Sequence, residues 1–417
     1  MASIKEKLRG LTQNSASVPV PPKKEAGSSS GTISELDAKI IENDHGVYVL
    51  REKRFPLDFE HGAPLKEFLQ LTGPDFVCAG KNAGLQGMRP EDVLFIDTET
   101  TGLAGGTGTY AFMVGVGFFR ESEFVVQQYF MRDYGEEPAL LLALSQTLDG
   151  KTGLISYNGK SYDIPVLNAR GVMNRNRIPW DTFHHLDLLH ASRRLWRKTI
   201  NPCTLQNVEQ HILGFRREGD VPGWEIPSLY FDFLRNRDYR PLIPVFKHNV
   251  MDILSLVTIT VNICRAFSGF ENPQHKKYDC LGIIKTFEEL GDFQKAVSAC
   301  EVFIEYESLP ELVRILLKNA ALLKKMDRMD EAEHAWYKVI ERANRFFPEP
   351  YTELAKYYEH KLKDFNRALE IVERAEKRMN IIAELRGGFD KDIKEELSYR
   401  KQRLIKKLRL TGGGDET

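Results

Sequence analysis

The amino-acid sequence predicts an α/β fold, a mixed five-stranded sheet flanked by helices, followed by an all-α helical-repeat domain. Three observations carry this prediction. Between Val93 and Phe267 short strand-like runs and helical periodicity alternate in the order βββαβαβα. Beyond Gly269 the strand-like runs stop. In their place "LGDFQKAV", "MDRMDEAE" and "LKDFNRAL" share one period. Ala296, Ala332 and Ala368 lie 36 residues apart, as do Phe293, Met329 and Phe365, and Leu290, Met326 and Leu362.

Taken in order, residues 1–35 combine Pro19, Pro21 and Pro22 with Ser28, Ser29, Ser30 and Gly31, a composition too polar to order itself, and read as a disordered tail. Residues 36–92 form an N-terminal extension packed on the α/β domain, with the alternation of "GVYVLREKRF" marking one arm of a hairpin. The α/β domain spans 93–268. In it "VLFIDTET", "YAFMVGVGFF" and "EFVVQQYFM" read as a strand meander and "EEPALLLALSQTL" as a helix. "GLISYNG" is a fourth strand, "SYDIPVLNARGV" starts a helix, and "HHLDLLHASRRL" passes from strand into helix. "IPVFKHNVMDILSLVTITVNICRAF" is a long amphipathic helix. Residues 278–380 hold the repeats and 381–417 a basic helix and tail. A small residue recurring just after a turn lets paired helices approach closely, which is what a tetratricopeptide-type hairpin demands.

Composition excludes several classes. A chain of 417 residues with net charge −1 and pI near 6.8 does not coat nucleic acid through global charge. Five cysteines, odd in number and without a C-x-x-C pair, indicate neither a disulfide framework nor a zinc ribbon. A reducing, cytoplasmic location is expected, and no membrane partner, because no apolar leader and no run of about 18 apolar residues is present.

The chemistry sits in carboxylates. Asp97 and Glu99 end an apolar strand, and a period of two projects both from one face. At an effective dielectric near 20, two unit charges about 4 Å apart repel by roughly 4 kcal/mol, so the pair requires a proton or a cation. Oxygen-only ligands favour Mg2+ or Mn2+. Asp163 in "YNGKSYD" follows the fourth strand in the first turn of a helix and returns to the same sheet edge. His248 and Asp252, four apart, share one face of the long helix. The "GKS" at Gly159–Ser161 is not a phosphate-binding loop of the Walker type, since Leu154 stands where that motif needs glycine.

This constellation resembles the DEDD, or DnaQ-like, superfamily of 3′ to 5′ exonucleases, with its ribonuclease H-like fold. "FIDTETTGL" matches the first motif, and Asn158, Tyr162 and Asp163 match the second, N-x-x-x-[FY]-D. Asp252 would be the final acid, with three residues between it and His248, the spacing of the family's tyrosine branch rather than its histidine branch. The extended "TETTGLAGGTGTYAFMVGVGFF" is similar to a YprB-like bacterial group in which such a nuclease precedes tetratricopeptide repeats.

The resemblance implies a two-metal hydrolysis of phosphodiesters. Asp97 would bridge two divalent cations, Glu99 and Asp252 would hold the water-activating one, and Asp163 would help hold the second. His248, neutral near its usual pKa of about 6.5, would accept the water's proton. Thr98, Thr101, Gly102, Leu103, Asn158 and Tyr162 would meet the substrate, the glycine-rich segment letting backbone amides approach a phosphate; a plain flexible hairpin fits the same glycines. Asp187 is either a supporting acid or a surface acid. Single-stranded DNA or RNA is the expected partner. Arg216, Arg217, Arg235, Arg237 and Arg240, interspersed with Trp224, Tyr230, Phe231 and Tyr239, suit phosphate contact and base stacking, as would a solvated loop with an aromatic cluster. Arg400, Lys401, Arg403, Lys406, Lys407 and Arg409 form a basic helix that would either touch nucleic acid or cap the repeats. The repeats themselves would bind a protein partner or position the substrate. A non-catalytic nucleic-acid scaffold and a structure-selective endonuclease are the competing readings, and a degenerate scaffold would be expected to have lost an acid.

Overall fold

A computed structural model describes residues 31–102, 108–271, 278–386 and 391–412. Its centre is one sheet of eight strands: β1 (Gly31–Ile33), β2 (Ala38–Asn43), β3 (Gly46–Pro56), β4 (Val93–Thr100), β5 (Ala111–Arg120), β6 (Glu123–Phe130), β7 (Gly153–Ser156) and β8 (His184–Asp187). The order across the sheet is β1-β2-β3-β6-β5-β4-β7-β8. The five strands read from the sequence are present. The extension adds three more, because β3 pairs along eight residues of β6. The first of them falls inside the segment whose composition reads as a tail.

Pairing is antiparallel from β1 through β4 and parallel between β4, β7 and β8. The parallel pairs require crossovers, supplied by α2 (Glu137–Leu148) and α3 (Asp163–Met173). The carboxyl ends of β4, β7 and β8 therefore lie at one edge, with α3 and α4 (Leu188–Trp196) leaving from it. β5, "AFMVGVGFFR", is buried at nine of its ten positions, as a central strand covered on both faces must be.

One face of the sheet packs against α2, α3 and α6 (Ile226–Asn236), the helix that comes after the short α5 (Leu205–Val208). The other face carries α1 (Gly73–Gly80), α4 and the 26-residue α7 (Ile243–Ser268). By length and composition the Arg240–Ser268 stretch is apolar enough to cross a membrane, but 83% of its apolar window is buried inside the protein. It is the central helix of a core.

That core does not end with the α/β domain. It runs without interruption from Leu65 to Leu404, through α7 into the C-terminal helices. These are α8 (Cys280–Glu289), α9 (Phe293–Tyr306), α10 (Glu311–Lys325), α11 (Met329–Arg342), α12 (Pro348–Lys356), α13 (Phe365–Arg386) and α14 (Lys391–Gly412). Phe267 at the end of α7 meets Phe287 of α8 edge-on at 6.2 Å. The Asp279 N–H donates to the Leu195 carbonyl at 2.7 Å, and a Cβ at Gly282 would overlap the Arg194 carbonyl, so α8 touches the backbone of α4.

The repeat periodicity has a backbone counterpart. Gly291, Asp327 and Lys363, 36 residues apart, all adopt left-handed φ, of 81°, 59° and 57°. Each ends a first helix and turns the chain into a second. Asp292 and Asp364 then cap the second helix, accepting from the N–H groups of Lys295 and Arg367 at 3.0 and 2.9 Å. Ala296, Ala332 and Ala368 in the first turn of those helices are fully buried. The last hairpin departs from the pattern: a π-helical stretch, Tyr357–Leu362, buries Glu359 completely. Arg403 of α14 donates to Glu359 through Nε and Nη2 at 2.9 and 2.6 Å, and Lys407 through Nζ at 2.8 Å. Burial pushes this carboxyl up, yet those charged donors outweigh it and hold it below the ordinary range. The basic C-terminal helix is thereby docked on the repeats as a cap.

Candidate metal centre

The site is built on one row of residues across the sheet. Asp97 of β4 lies opposite Gly115 of β5, Gly115 opposite Gln128 of β6, and Gln128 opposite Arg51 of β3. All four share a face, the one covered by α7. Two glycines on that face, Gly115 and Gly117, admit the helix: a Cβ at the first would overlap the Asn249 carboxamide, and at the second the Ile253 side chain. The first turns of α7 thus come down directly on the carboxylate strand.

Hydrogen bonds run along the same row. Arg51 Nη1 donates to Gln128 Oε1 at 2.8 Å, Gln128 Nε2 to Asn249 Oδ1 at 2.9 Å, and Asn249 Nδ2 to Asp97 Oδ2 at 2.9 Å. Gln128 is 1% exposed and Asn249 wholly buried, so each polar atom is satisfied by its neighbour and fixes the next. The N-terminal extension, whose purpose is unreadable from its own sequence, supplies the outer anchor of this chain.

Glu99, His248 and Asp252 converge, each offering a ligand atom within 4.8 Å of the others, and all three are buried. Asp163 opens α3 at the adjoining edge, where Thr98 Oγ1 donates to its Oδ1 in a short hydrogen bond. Gly159 leaves it room, since a Cβ there would crowd Ser156 and approach Asp163 Oδ2. Burial, together with the charges of Asp252, Glu99 and Asp163, pushes Asp97 well above the carboxylate range. Burial raises Glu99 to about 8, against the pull of His248, and raises Asp163 to about 6, against the Thr98 hydrogen bond. Four acids in one desolvated place resist ionising together.

That is the condition a cation relieves. Glu99 Oε1 has no hydrogen-bond partner among the described residues although it is buried, which marks a lone pair aimed at something other than the protein. A set of carboxylate oxygens fits a hard divalent ion such as Mg2+ or Mn2+. The residues present therefore fit the group.

His248 is held at both ring nitrogens, by Asp220 Oδ1 at 2.7 Å from Nδ1 and Asp252 Oδ2 at 3.3 Å from Nε2. Burial opposes its charge, but the Asp220 hydrogen bond and the charges of Asp252 and Glu99 prevail and push it up to about 9. Asp220, Asp252 and Glu99 surround this ring and favour its charged form, which a cation bound to the acids would offset. A guanidinium accompanies it. Arg217, read from the sequence as a phosphate contact, is buried instead. Its Nε donates to Glu209 Oε2 at 2.8 Å, its Nη2 pairs with Asp252 Oδ1, and its Nη1 reaches Asp220 Oδ2 at 3.4 Å.

Most of the other candidates serve the scaffold around the acids. The Tyr162 hydroxyl lies 2.8 Å from Thr100 Oγ1 and donates to the Gly102 carbonyl, and Thr101 Oγ1 accepts from the Tyr110 N–H at 3.0 Å. Together they fix Gly102 beside Tyr162 and tie Thr101 to Tyr110. Leu103 lies outside the described residues. Asn158 is exposed with φ of 66°, and its N–H donates to Asp187 Oδ1 at 2.8 Å. Asp187 also accepts from the Lys160 N–H at 3.1 Å and caps α4, so it supports the loop that carries Asp163. The arginine-aromatic stretch is largely consumed within the protein. Tyr230 is buried and stacks on Phe112 at 4.0 Å, and Tyr239 packs on Phe233 at 4.9 Å. Arg235 pairs with Asp232 and Arg240 with Asp238, while Arg237 donates to the Arg132 carbonyl. Trp224 remains 68% exposed.

Asn249, Gln128, Arg51, Arg217, Glu209 and Asp220 have site roles that the sequence does not announce. Only Asn249, beside His248 in an apolar helix, had a local signature: a polar residue on a face that must be buried.

Comparison with known proteins gives two findings. Residues 94–264 match the RNase H superfamily. Over 333 residues, 78% of this chain and 80% of the other, the sequence is 32% identical to the uncharacterized protein YprB of Bacillus subtilis (strain 168).

Proposed function

Since the chain belongs to the RNase H superfamily of nucleic-acid hydrolases, we propose that it is a metal-dependent 3′ to 5′ exonuclease acting on single-stranded DNA or RNA. The observation that carries the reading is the cluster of desolvated acids at the end of β4, with Glu99 Oε1 unpartnered among the described residues. Asp97, Glu99, Asp163 and Asp252 would hold the divalent ions, which supply neutralisation of the phosphate's charge and acidification of a water molecule.

The protein's own groups do the positioning. Asn249 fixes the Asp97 carboxylate and Thr98 that of Asp163. Asp220 accepts from Nδ1 of His248, which leaves Nε2 as the atom that takes and returns a proton beside Asp252. Arg217 orients Asp252 through its anchor on Glu209. Thr101 and Gly102, held beside Tyr110 and Tyr162, would meet the terminal nucleotide. The helical hairpins, which we read as tetratricopeptide-type repeats from their shared period and small-residue columns, would position the rest of the strand.

The test is incubation of the protein with end-labelled single-stranded DNA and RNA in magnesium, manganese or EDTA, beside Asp97→Ala. Stepwise release of mononucleotides, lost in EDTA and in the variant, is expected. Absence of metal-dependent product from every substrate rejects the enzyme, and internal cuts reject the exonuclease.

A further inference from the structure

A cleft of about 590 Å3 opens where α1 and α4 of the α/β domain meet α8 and α10 of the repeats. Seven of its lining residues are cationic and two anionic, in a chain whose net charge is −1. Part of that charge is structural. Lys81 pairs with Glu289, Lys198 with Asp279 and Glu311 at 2.9 and 2.7 Å, and Arg314 with Glu311 at 3.3 Å. Arg194 spends its guanidinium on the Ala79 and Cys78 carbonyls. Arg193, Arg197 and Lys285 are different: all three are exposed, and no described residue pairs with their side chains. Asp279, Glu289 and the neighbouring Glu311 offset only part of the seven cationic charges, and Glu289 is shared between Lys81, Arg194 and Lys285. The cleft therefore keeps an excess of positive charge that an anion from outside the protein would offset.

We propose that this cleft is a second nucleic-acid contact, which holds the phosphates of the strand 5′ of the scissile bond; the inference rests on the nuclease reading of the carboxylate site. Helix α4 connects the two places. Its cap, Asp187, holds the loop beside Asp163, and its C-terminal end carries Arg193 and Arg197. At a helical rise of about 1.5 Å per residue, these lie roughly 9 and 15 Å along the helix from the cap. With strand phosphates spaced on the order of 3.4 Å along a helix axis and farther apart when extended, that is a span of roughly two to four nucleotides. A small phosphate ligand is less well matched, because it needs buried donors converging on one point, whereas the unpaired cations here are exposed and spread over α4 and α8. A polyanion that runs along the cleft is what they fit.

The experiment uses the full chain and the triple variant Arg193→Glu, Arg197→Glu, Lys285→Glu, none of which belongs to the carboxylate site. Binding of a fluorescent single strand of roughly twenty nucleotides is measured by anisotropy in EDTA across a salt series. The expected result is at least a tenfold loss of affinity and a shallower dependence of log K on log salt, by about 0.7 per lost phosphate contact. Thermal melting should be unchanged. Hydrolysis of a dinucleotide, too short to reach the cleft, should be unchanged while that of the long strand falls. Unaltered affinity for the long strand overturns the proposal, as does an equal loss on the dinucleotide. Displacement of the long strand by inorganic phosphate or ATP at low concentration, in the wild type only, reassigns the cleft to a small anion and also overturns it. If the wild type hydrolyses neither substrate, the nuclease reading fails, while the EDTA binding arm still decides whether the cleft holds nucleic acid.

Discussion

At Asp97, function and stability pull in opposite directions. Its carboxylate is crowded by three other acids, so Asp97→Asn should remove repulsion while the amide keeps the site filled. Activity is expected to fall by about 10³-fold or more. The melting temperature in EDTA should stay level or rise, and the increase that Mg2+ or Mn2+ gives the wild type should shrink; a lower melting temperature in EDTA would contradict this account. Arg217 behaves in the other sense. Arg217→Gln leaves Glu209, 1% exposed, as an uncompensated buried charge, a class of change that costs about 3–5 kcal/mol, readable by urea unfolding. The two residues also differ in legibility. Asp97 and Glu99 declare themselves through company: two acids on one face at the end of an apolar strand become informative once Asp163 and Asp252 are expected at the same sheet edge. Arg217 sits in a polar, glycine-containing stretch whose partners come from positions 209 and 252, and nothing in the stretch says that it turns inward.

At the scale of elements, the site depends on how closely α7 approaches β5. Gly115→Ala places a methyl group where the Asn249 carboxamide sits, so the helix must lift or Asn249 must leave Asp97. The expected cost is about 1–3 kcal/mol by over-packing, with a loss of roughly 10²-fold in turnover from displacement of the reacting groups. Steady-state kinetics beside circular dichroism separates the two: wild-type turnover in a folded variant would show that the glycine is not needed for the approach. The elements themselves were legible in unequal measure. β4 to β8 and the long helix are readable from hydrophobic period alone. The pairing of β3 with β6 is not, because strand partners far apart in sequence leave no local mark, and so the extension's role in anchoring Gln128 stayed hidden. The repeat columns were visible because a 36-residue period imposes the same backbone turn three times.

For the molecule as a whole, buried His61 and half-buried His185 each contribute a dependence of stability on acidity. His61, hydrogen-bonded to Ser255 at 2.7 Å, and His185, to Ser156 at 2.8 Å, are both lowered by burial to about 4. The unfolded chain binds protons at these positions near pH 6.5 and the folded chain only near 4, so the contribution of these two groups is full above about pH 6.5 and is lost as pH falls toward 4. The loss is on the order of 3 kcal/mol for each group. The raised acids of the carboxylate site and His248 act in the opposite sense, so the comparison is between wild type and His61→Gln. Urea unfolding at pH 7.5 and pH 5 should show the variant gaining stability relative to wild type at the lower pH, and identical slopes would remove His61 as a cause.

The uninterrupted core also bears on how the chain is made. Helix α7 leaves the ribosome with the face that receives α8 still open, and the last residue to join that core is Leu404. At synthesis rates of about 5–20 residues per second, the interval is roughly seven to thirty seconds. Through it the carboxylates of the α/β domain are already translated while the helix that carries Asp252 lacks its outer support, so the finished cage is a product of the end of synthesis rather than its middle.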